Sequence, residues 1–372
     1  MVTIKEMTNN RELKEFIKYP MELFKDNEYF TPDLIADEMS NLRKDKNPAF
    51  EYCEAKYFMA YRDGKAAGRI AAILSHKANE KWNQKRMRFS RIDFTDDDEV
   101  VDALINAVVG WAKEQGCDEL HGPIGFSDLD KEGMLIEGFD EPNMFITWHA
   151  FPYYKTQMER SGFEKSVDWI EYRVFVPDKV PEKLERLADV IKRRNKLTIY
   201  QVTSRRELKP YIEAVFHLIN EAYENLYGVV ELTQKQIDLY VSQYLPLLDL
   251  DFIKLVLDKD GKLCAFGFLL PELGPAIKKA KGALFPTGWF HLLRGLKTYD
   301  VMDMGLIAVR PEMQNLGINA LIMVDMIKSA IDRGVKYAET GPELESNEKV
   351  QALWKHFDAV QHKRRRCWIK KI

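Results

Sequence analysis

The stretch AVRPEMQNLGINA, residues 308–320, joins a short apolar strand to an apolar helix through a polar turn. The first N–H groups of a helix have no partner within the helix, and with the helix dipole they favour an anion. Gly317 allows close approach to the backbone because it has no Cβ. We therefore predict a pyrophosphate site here, with a plain tight turn as the alternative. The predicted site comprises Gln314, Asn315, Leu316, Gly317, Ile318 and Asn319.

The residues around this turn repeat a pattern found earlier in the chain. A strand pair around Asp63-Gly64 (55–74) is matched by one around Asp260-Gly261 (251–270). A helix, a strand and Gly-Pro follow in both cases, at 99–123 and 319–342. The order predicts two tandem α/β units, although generic α/β parts could match by chance. We place the domains at 1–176 and 197–372, joined by a linker and helix at 177–196.

The bulk composition is that of ordinary globular material. Of 372 residues, 46% are hydrophobic and 30% charged, and the net charge is −3. This balance argues against a dedicated binder of nucleic acid or of a membrane. The four cysteines form no CxxC pair, so neither a metal site nor a disulfide framework is predicted. No apolar signal core or membrane-length run is present, so we expect a cytoplasmic protein; the oligomeric state is left open.

The turn and its flanks resemble a known family. The strand MDMGLIAV (302–309), the Gln-x-x-Gly-x-Asn turn and the apolar helix resemble the acyl-CoA-binding core of the GNAT superfamily of N-acetyltransferases. The family signature is Gln/Arg-x-x-Gly-x-Gly/Ala; Gln314 and Gly317 match it, and Asn319 replaces the last residue. Residues 122–142, GPIGFSDLDKEGMLIEGFDEP, look like a stretch of tandem GNAT-like bacterial proteins of unassigned substrate. The resemblance implies two GNAT-like domains, each a mixed, mostly antiparallel central sheet flanked by helices.

The resemblance also implies a reaction. The cofactor would be acetyl-CoA or another acyl-CoA, and a small-molecule or peptide amine would attack the thioester directly in the C-terminal domain. Backbone groups of a splayed strand would bind the pantetheine arm at Ile307, Ala308 and Val309, and Asn347 would contact the same arm. The alternatives are a catalytically silent acyl-CoA-binding or scaffold protein and an aminoacyl-tRNA-dependent transferase, whose usual helical-hairpin insertion is not seen.

The catalytic residues are predicted from their positions at a strand end, in a loop and at the family's tyrosine position. Glu339 ends the predicted strand VKYAET, where it would act as base or bind the amine, with Glu343 and Glu345 behind it. Glu231 is a second candidate, because its loop covers the acceptor site in the family. The tyrosine that donates a proton in the family is replaced by Trp354, and by Met158 in the first copy. Tyr337, Tyr299 or water would then have to serve as the acid.

Three further segments have their own predictions. In the first copy the equivalent turn, DFTDDDEVVDAL (93–104), carries Asp96 to Glu99, which would repel a pyrophosphate and suit a helix cap. We expect that half to have lost CoA binding and to serve as scaffold or as a wall of the substrate site. HKRRRCWIKK (362–371) is predicted to be an edge strand guarded by charge, or else to bind nucleic acid or the nucleotide 3′-phosphate. FPTGWFHLL (285–293) is predicted to be a lid or interdomain helix, or to line an acyl tunnel.

Overall fold

The computed structural model describes the backbone of residues 1–372 and all side chains except that of Lys349. Fourteen strands form one sheet. The strands are β1 Val2–Glu6, β2 Cys53–Arg62, β3 Lys65–Ser75, β4 Arg86–Phe94, β5 Glu119–Gly122, β6 Met134–Glu137, β7 Glu164–Phe175, β8 Thr198–Tyr200, β9 Ile253–Leu257, β10 Leu263–Pro271, β11 Val301–Val309, β12 Tyr337–Glu339, β13 Glu343–Leu344 and β14 Ala359–Lys371.

Helices cover both faces of this sheet. They are α1 Asn10–Leu23, α2 Ile35–Leu42, α3 His76–Lys81, α4 Asp98–Glu114, α5 Tyr153–Arg160, α6 Glu182–Arg194, α7 Arg205–Tyr223, α8 Gln234–Tyr244, α9 Gly274–Lys279, α10 Gly288–Gly295, α11 Ile318–Arg333 and α12 Glu348–Trp354. Short 3₁₀ turns occupy Pro48–Glu51, Leu245–Leu247, Leu250–Phe252 and Pro311–Leu316. Within the described residues, no helix is both long and apolar enough to cross a membrane.

Local sequence signals explain several element boundaries. Asp63 and Gly64 both have positive φ, 50° and 79°, as a two-residue hairpin turn requires. Helix α11 ends at Gly334, whose φ of 70° places it in the left-handed region, as its sequence predicts. Asp97 caps α4 by accepting hydrogen bonds from the N–H groups of Glu99 and Val100.

The two halves have the same order of elements. In each half, four antiparallel strands lead into a long helix, and the next strand pairs in parallel with the fourth: β4 with β5, and β11 with β12. In the C-terminal half, α6 and α11 pack on one face of the strands and α7 on the other. In the N-terminal half, α4 and α5 cover one face and α1 the other. The predicted fold class is therefore confirmed.

The centre of the sheet joins the halves by exchanging strands. The order is β5-β14-β7-β12, so the last strand of the chain pairs with β5 of the N-terminal half, and β7 pairs with β12 of the C-terminal half. Residues 362–371 do form a strand, but the prediction of an edge position is wrong. The side chains of Lys363 and Arg365 are buried because both pair with the buried carboxylate of Glu171. The linear boundary at 177–196 stays a prediction.

Candidate functional site

A β-bulge opens the sheet of the C-terminal half. Gly267 pairs with Ile307 and Leu269 with Met304, so Phe268 opposes two residues of β11. A Cβ at Gly305 would lie 2.1 Å from the Phe268 ring, so only glycine fits there without rearrangement. Strand β11 pairs with β12 over three residues, Val301–Asp303. Because bulges bend a strand and the pairing with β12 ends here, we infer that β11 leaves β12 beyond this point and that a gap opens between them.

The two faces of the sheet at this gap differ in character. Successive strand residues point to opposite faces. Met302 and Ala338 pack toward α11, whereas Asp303 and Glu339 point to the other face. On the α11 side lies a small apolar cavity with a volume of about 30 Å³. Its lining consists of Val174, Phe175, Val176, Pro177, Leu269, Met304, Met323, Met326, Ile327, Ala330, Ala338 and Phe357.

On the opposite face, Glu339 contacts two cationic side chains and a histidine. Its Oε1 accepts a hydrogen bond of 2.7 Å from Arg173 Nε. Its Oε2 lies 2.5 Å from His362 Nε2 and 3.6 Å from Lys363 Nζ. Burial would raise the pKa of Glu339, but the contact with His362 and the charges of Lys363 and Arg173 outweigh it and lower the pKa to about 2. This carboxylate is therefore firmly charged and a weak base.

Asp303 is a buried acid that the sequence analysis did not single out. Its side chain is 1% exposed, and neither carboxyl oxygen has a hydrogen-bond partner among the described residues. Burial, together with the charge of neighbouring Glu272, raises the pKa of Asp303 well above its ordinary value. A lone acid within the apolar run VMDMGLIAV (301–309) was the available signal. This buried acid lies where β11 and β12 part, and its raised pKa favours the protonated form.

Glu343 and Trp354 form a second polar pair. The indole Nε1 of Trp354 donates to both carboxyl oxygens of Glu343 at 3.0 Å. Burial raises the pKa of Glu343 to about 7, and the hydrogen bond from Trp354 offsets only part of that rise. Trp354 also packs with Met304 and Met323, which line the apolar cavity. The carboxyl group best matched to proton transfer at neutral pH thus stands beside the cavity.

The structure brings Tyr337 close to Glu339 but places Glu231 elsewhere. Tyr337 and Glu339 are two residues apart on β12 and share a face, and the Arg173 guanidinium lies 4.7 Å from the Tyr337 ring centroid. Burial raises the pKa of Tyr337, so its hydroxyl stays protonated at neutral pH. Glu231 is exposed, and its carbonyl accepts a hydrogen bond from Lys77 in the other half. Its catalytic role stays a prediction.

The predicted pyrophosphate turn is an exposed 3₁₀ turn leading into α11. Gly317, at the helix N-cap, has φ 75° and ψ 20°, which is left-handed geometry. Gln314, Asn315, Leu316 and Gly317 are all exposed, whereas Ile318 is fully buried. In a 3₁₀ turn part of the N–H groups bond to carbonyls three residues earlier, so fewer remain free than in an open loop.

Neighbouring elements complete the surroundings of this turn. Ile191 of α6 approaches within 3.0 Å of the position that a Cβ on Gly317 would take. Lys192, Arg193 and Arg194 follow it in the last turn of α6 and are exposed. The positive charge next to the turn suits a polyphosphate.

Two of the residues predicted to bind pantetheine already form hydrogen bonds within the protein. The carbonyl of Ile307 accepts a hydrogen bond of 2.9 Å from the Tyr223 hydroxyl. Asn347 caps α12, its side chain accepting from the N–H of Val350. Ala308 and Val309 are buried on β11. The roles of all four residues toward a ligand stay predictions.

In the N-terminal half, the equivalent helix start carries acidic side chains that are already paired. Arg62 pairs with Asp97 at 2.5 Å and with Glu99 at 2.5 Å. Gln157 donates to Asp96 and Asp98. The acidic run therefore caps and braces α4, as its sequence predicts; loss of CoA binding in this half stays a prediction.

Comparisons with known proteins agree with this architecture. No family model matches the chain. It is 28% identical over 376 residues to Protein YghO of Escherichia coli (strain K12), across 99% of this chain and 95% of that protein. It is 25% identical over 372 residues to the bacterial ceramide synthase of Caulobacter vibrioides (strain NA1000 / CB15N), across 97% and 95%. A solved tandem GNAT protein from the clavulanic acid biosynthesis pathway superposes with a TM-score of 0.58 at 13% identity, across 100% of this chain and 98% of that one. The chain thus has the GNAT superfamily fold, as two GNAT-like domains.

Proposed function

We propose that this chain is an acyl-CoA-dependent N-acyltransferase that uses the gap between β11 and β12. The observation that carries the proposal is the bulge at Gly305, which parts the strands between an apolar cavity on one face and a charged cluster on the other. A thioester and an amine could therefore reach the gap from opposite faces. Acyl-CoA supplies an acyl group activated toward amines.

The surroundings of the gap fit an acyl-CoA. The exposed turn at 314–319 and the cations Lys192, Arg193 and Arg194 would hold the phosphates. The cavity is lined by aliphatic, aromatic and methionine side chains, and methionine adapts to flexible apolar ligands. We therefore propose a donor with an acyl chain longer than acetyl, for which the methionine side chains would move apart and widen the cavity; acetyl-CoA itself would fit the same turn.

The acceptor is proposed from the Caulobacter relative. A ceramide is the amide of a long-chain amino alcohol, so a ceramide synthase forms an N-acyl bond. The relative matches this chain along nearly its full length. We propose a small-molecule amine of that class, a long-chain amino alcohol, as the acceptor.

The residues have separable roles in this proposal. Glu343, with its pKa of about 7, would accept the proton of the attacking amine while Trp354 holds its carboxylate in place. Glu339, paired with Arg173 and Lys363 and with a pKa of about 2, would hold the shape of this face of the gap rather than take the proton of the amine. The Tyr337 hydroxyl would return a proton to the leaving thiolate. The N-terminal half would act as scaffold.

Calorimetric titration with CoA, acetyl-CoA and palmitoyl-CoA tests the binding step. We expect palmitoyl-CoA to bind most tightly. Replacing Lys192, Arg193 and Arg194 together by Gln should weaken binding of all three about tenfold, as expected for exposed charges. Lys183→Gln with Arg186→Gln, at the other end of the same helix, is the matched control and should leave affinity unchanged. Equal losses in both variants would remove the turn from the phosphate site.

Release of free thiol in the presence of an amine tests the chemical step. Sphinganine should support release with palmitoyl-CoA, and Glu343→Gln should lower kcat at least a hundredfold while leaving CoA affinity within twofold. Binding without thiol release for any amine would instead indicate a catalytically silent acyl-CoA-binding protein. Transfer that occurs only from a charged tRNA would indicate an aminoacyl-tRNA-dependent transferase.

A further inference from the structure

The connection between β10 and β11 carries an exposed apolar surface. Helices α9 and α10 fill this connection, and α10 is short. Four large apolar side chains on or just before α10 are 48% to 80% exposed. These are Phe285, Trp289, Phe290 and Leu293, which we call the α10 surface. Most large apolar side chains of a folded chain are buried, and four neighbouring ones in contact with water indicate an interaction site.

The helix that carries the α10 surface packs firmly against the rest of the protein. Leu292, on the other side of α10, is buried with Leu273, Ala276 and Ile277. The Trp289 indole donates to the carbonyl of Pro286 at 3.0 Å, which fixes the ring on the surface. The exposed side chains are therefore presented by a folded element and not by a loose loop.

The connection that carries the α10 surface has only positively charged side chains. The 27 residues between Glu272 and Asp300 contain no Asp or Glu and five Lys or Arg, although the whole chain has a net charge of −3. Lys279, Lys281, Arg294 and Lys297 are exposed, and none of them forms an ion pair within the described part of the chain. Exposed aromatic rings flanked by free cations match the interface of an anionic bilayer, where rings enter the headgroup region and cations meet phosphate.

We propose that the α10 surface binds the headgroup layer of an anionic lipid bilayer. The composition of the whole chain argued against membrane binding, but only because it averages over this local concentration of positive charge. The connection that carries α10 begins at Glu272, which neighbours the buried acid Asp303. The proposal rests on exposure and charge and stands apart from the acyl-transfer proposal.

Cosedimentation with sucrose-loaded vesicles tests the surface directly. The full chain should bind vesicles of phosphatidylcholine with 30% phosphatidylglycerol, and 0.5 M NaCl should release most of it, since each lysine near an anionic surface contributes about fivefold in affinity. Lys281→Gln should weaken binding about fivefold, and Trp289→Ser with Phe290→Ser should weaken it at least tenfold. Unchanged thermal unfolding would show that these variants remain folded.

A matched control uses the other exposed apolar pair on a helix. Leu187 and Val190 of α6 are 49% and 59% exposed, and Leu187→Ser with Val190→Ser should leave vesicle binding unchanged. Loss of binding in that variant alone would place the membrane face on α6 and overturn the proposal. The proposal would also be overturned if the wild-type chain did not bind anionic vesicles. A dimer in sedimentation velocity that Trp289→Ser with Phe290→Ser converts to a monomer would show that a second copy covers the surface instead.

Discussion

Replacing Glu343 by Gln should change how the stability of the protein depends on pH. The ordinary pKa of this carboxyl is 4.5, and burial raises it to about 7 in the folded protein. The folded state thus holds the proton more tightly than the unfolded chain does. The stability from this group is fully present below pH 4.5 and is lost as the pH rises to about 7. The difference between the two pKa values corresponds to about 3 kcal/mol.

Glutamine keeps the shape and an acceptor for Trp354 but cannot ionise. The free energy of unfolding of Glu343→Gln, measured in urea from pH 4 to pH 8, should therefore rise relative to the wild type by about 3 kcal/mol across this range. In Trp354→Phe the carboxylate loses its hydrogen-bond donor, which raises the pKa of Glu343 in the folded state further. The loss of stability with rising pH should therefore extend to a higher pH than in the wild type. Parallel curves for wild type and Glu343→Gln would refute the buried, proton-binding state of this group and its suitability as a base.

Other variants test the bulge and the buried charges. Gly305→Ala should destabilise by about 1–3 kcal/mol because its Cβ would overlap the Phe268 ring, and Phe268→Leu should restore part of this, both read from urea midpoints. Gly110→Ala is the control: no atom lies within 4 Å of the added Cβ in the middle of α4, so it should stabilise by about 0.5–1 kcal/mol. Lys363→Met should lower the free energy of unfolding by about 3–5 kcal/mol in the same assay. It removes a cation near Glu171 and Glu339 and so leaves part of their buried charge uncompensated. A loss under about 1 kcal/mol would show that Arg365 and Arg173 alone compensate these carboxylates.

Much of each half could be predicted because its signals are local. The Asp63-Gly64 hairpin, the cap at Asp97 and the left-handed Gly334 each depend on a few adjacent residues. The tandem order of elements could be predicted because each half repeats these signals in sequence. The family resemblance added the expectation that the turn at Gly317 binds a pyrophosphate, which stays a prediction.

The exchange of strands could not be predicted, because it depends on residues far apart in the chain. Arg365 pairs in register with Trp169, and its charge meets Glu171. Read alone, a run of cations in a strand indicates a solvent-exposed edge; only the partner carboxylate makes the burial of Lys363 and Arg365 favourable. Prediction of the site from the sequence was limited in the same way. Glu339 was proposed from its position at a strand end, but its lowered pKa depends on Arg173, His362 and Lys363 from other strands.

The interleaved centre of the sheet bears on how the protein is made. Strand β5 has β14 as its neighbour on one side, and β14 ends at Lys371. While the ribosome is still translating the second half, the first half therefore exposes an unpaired strand edge, the kind of surface on which other chains aggregate. We expect newly made first halves to need a chaperone until residues 359–371 emerge, and separately expressed fragments 1–176 and 177–372 to be soluble only when produced together.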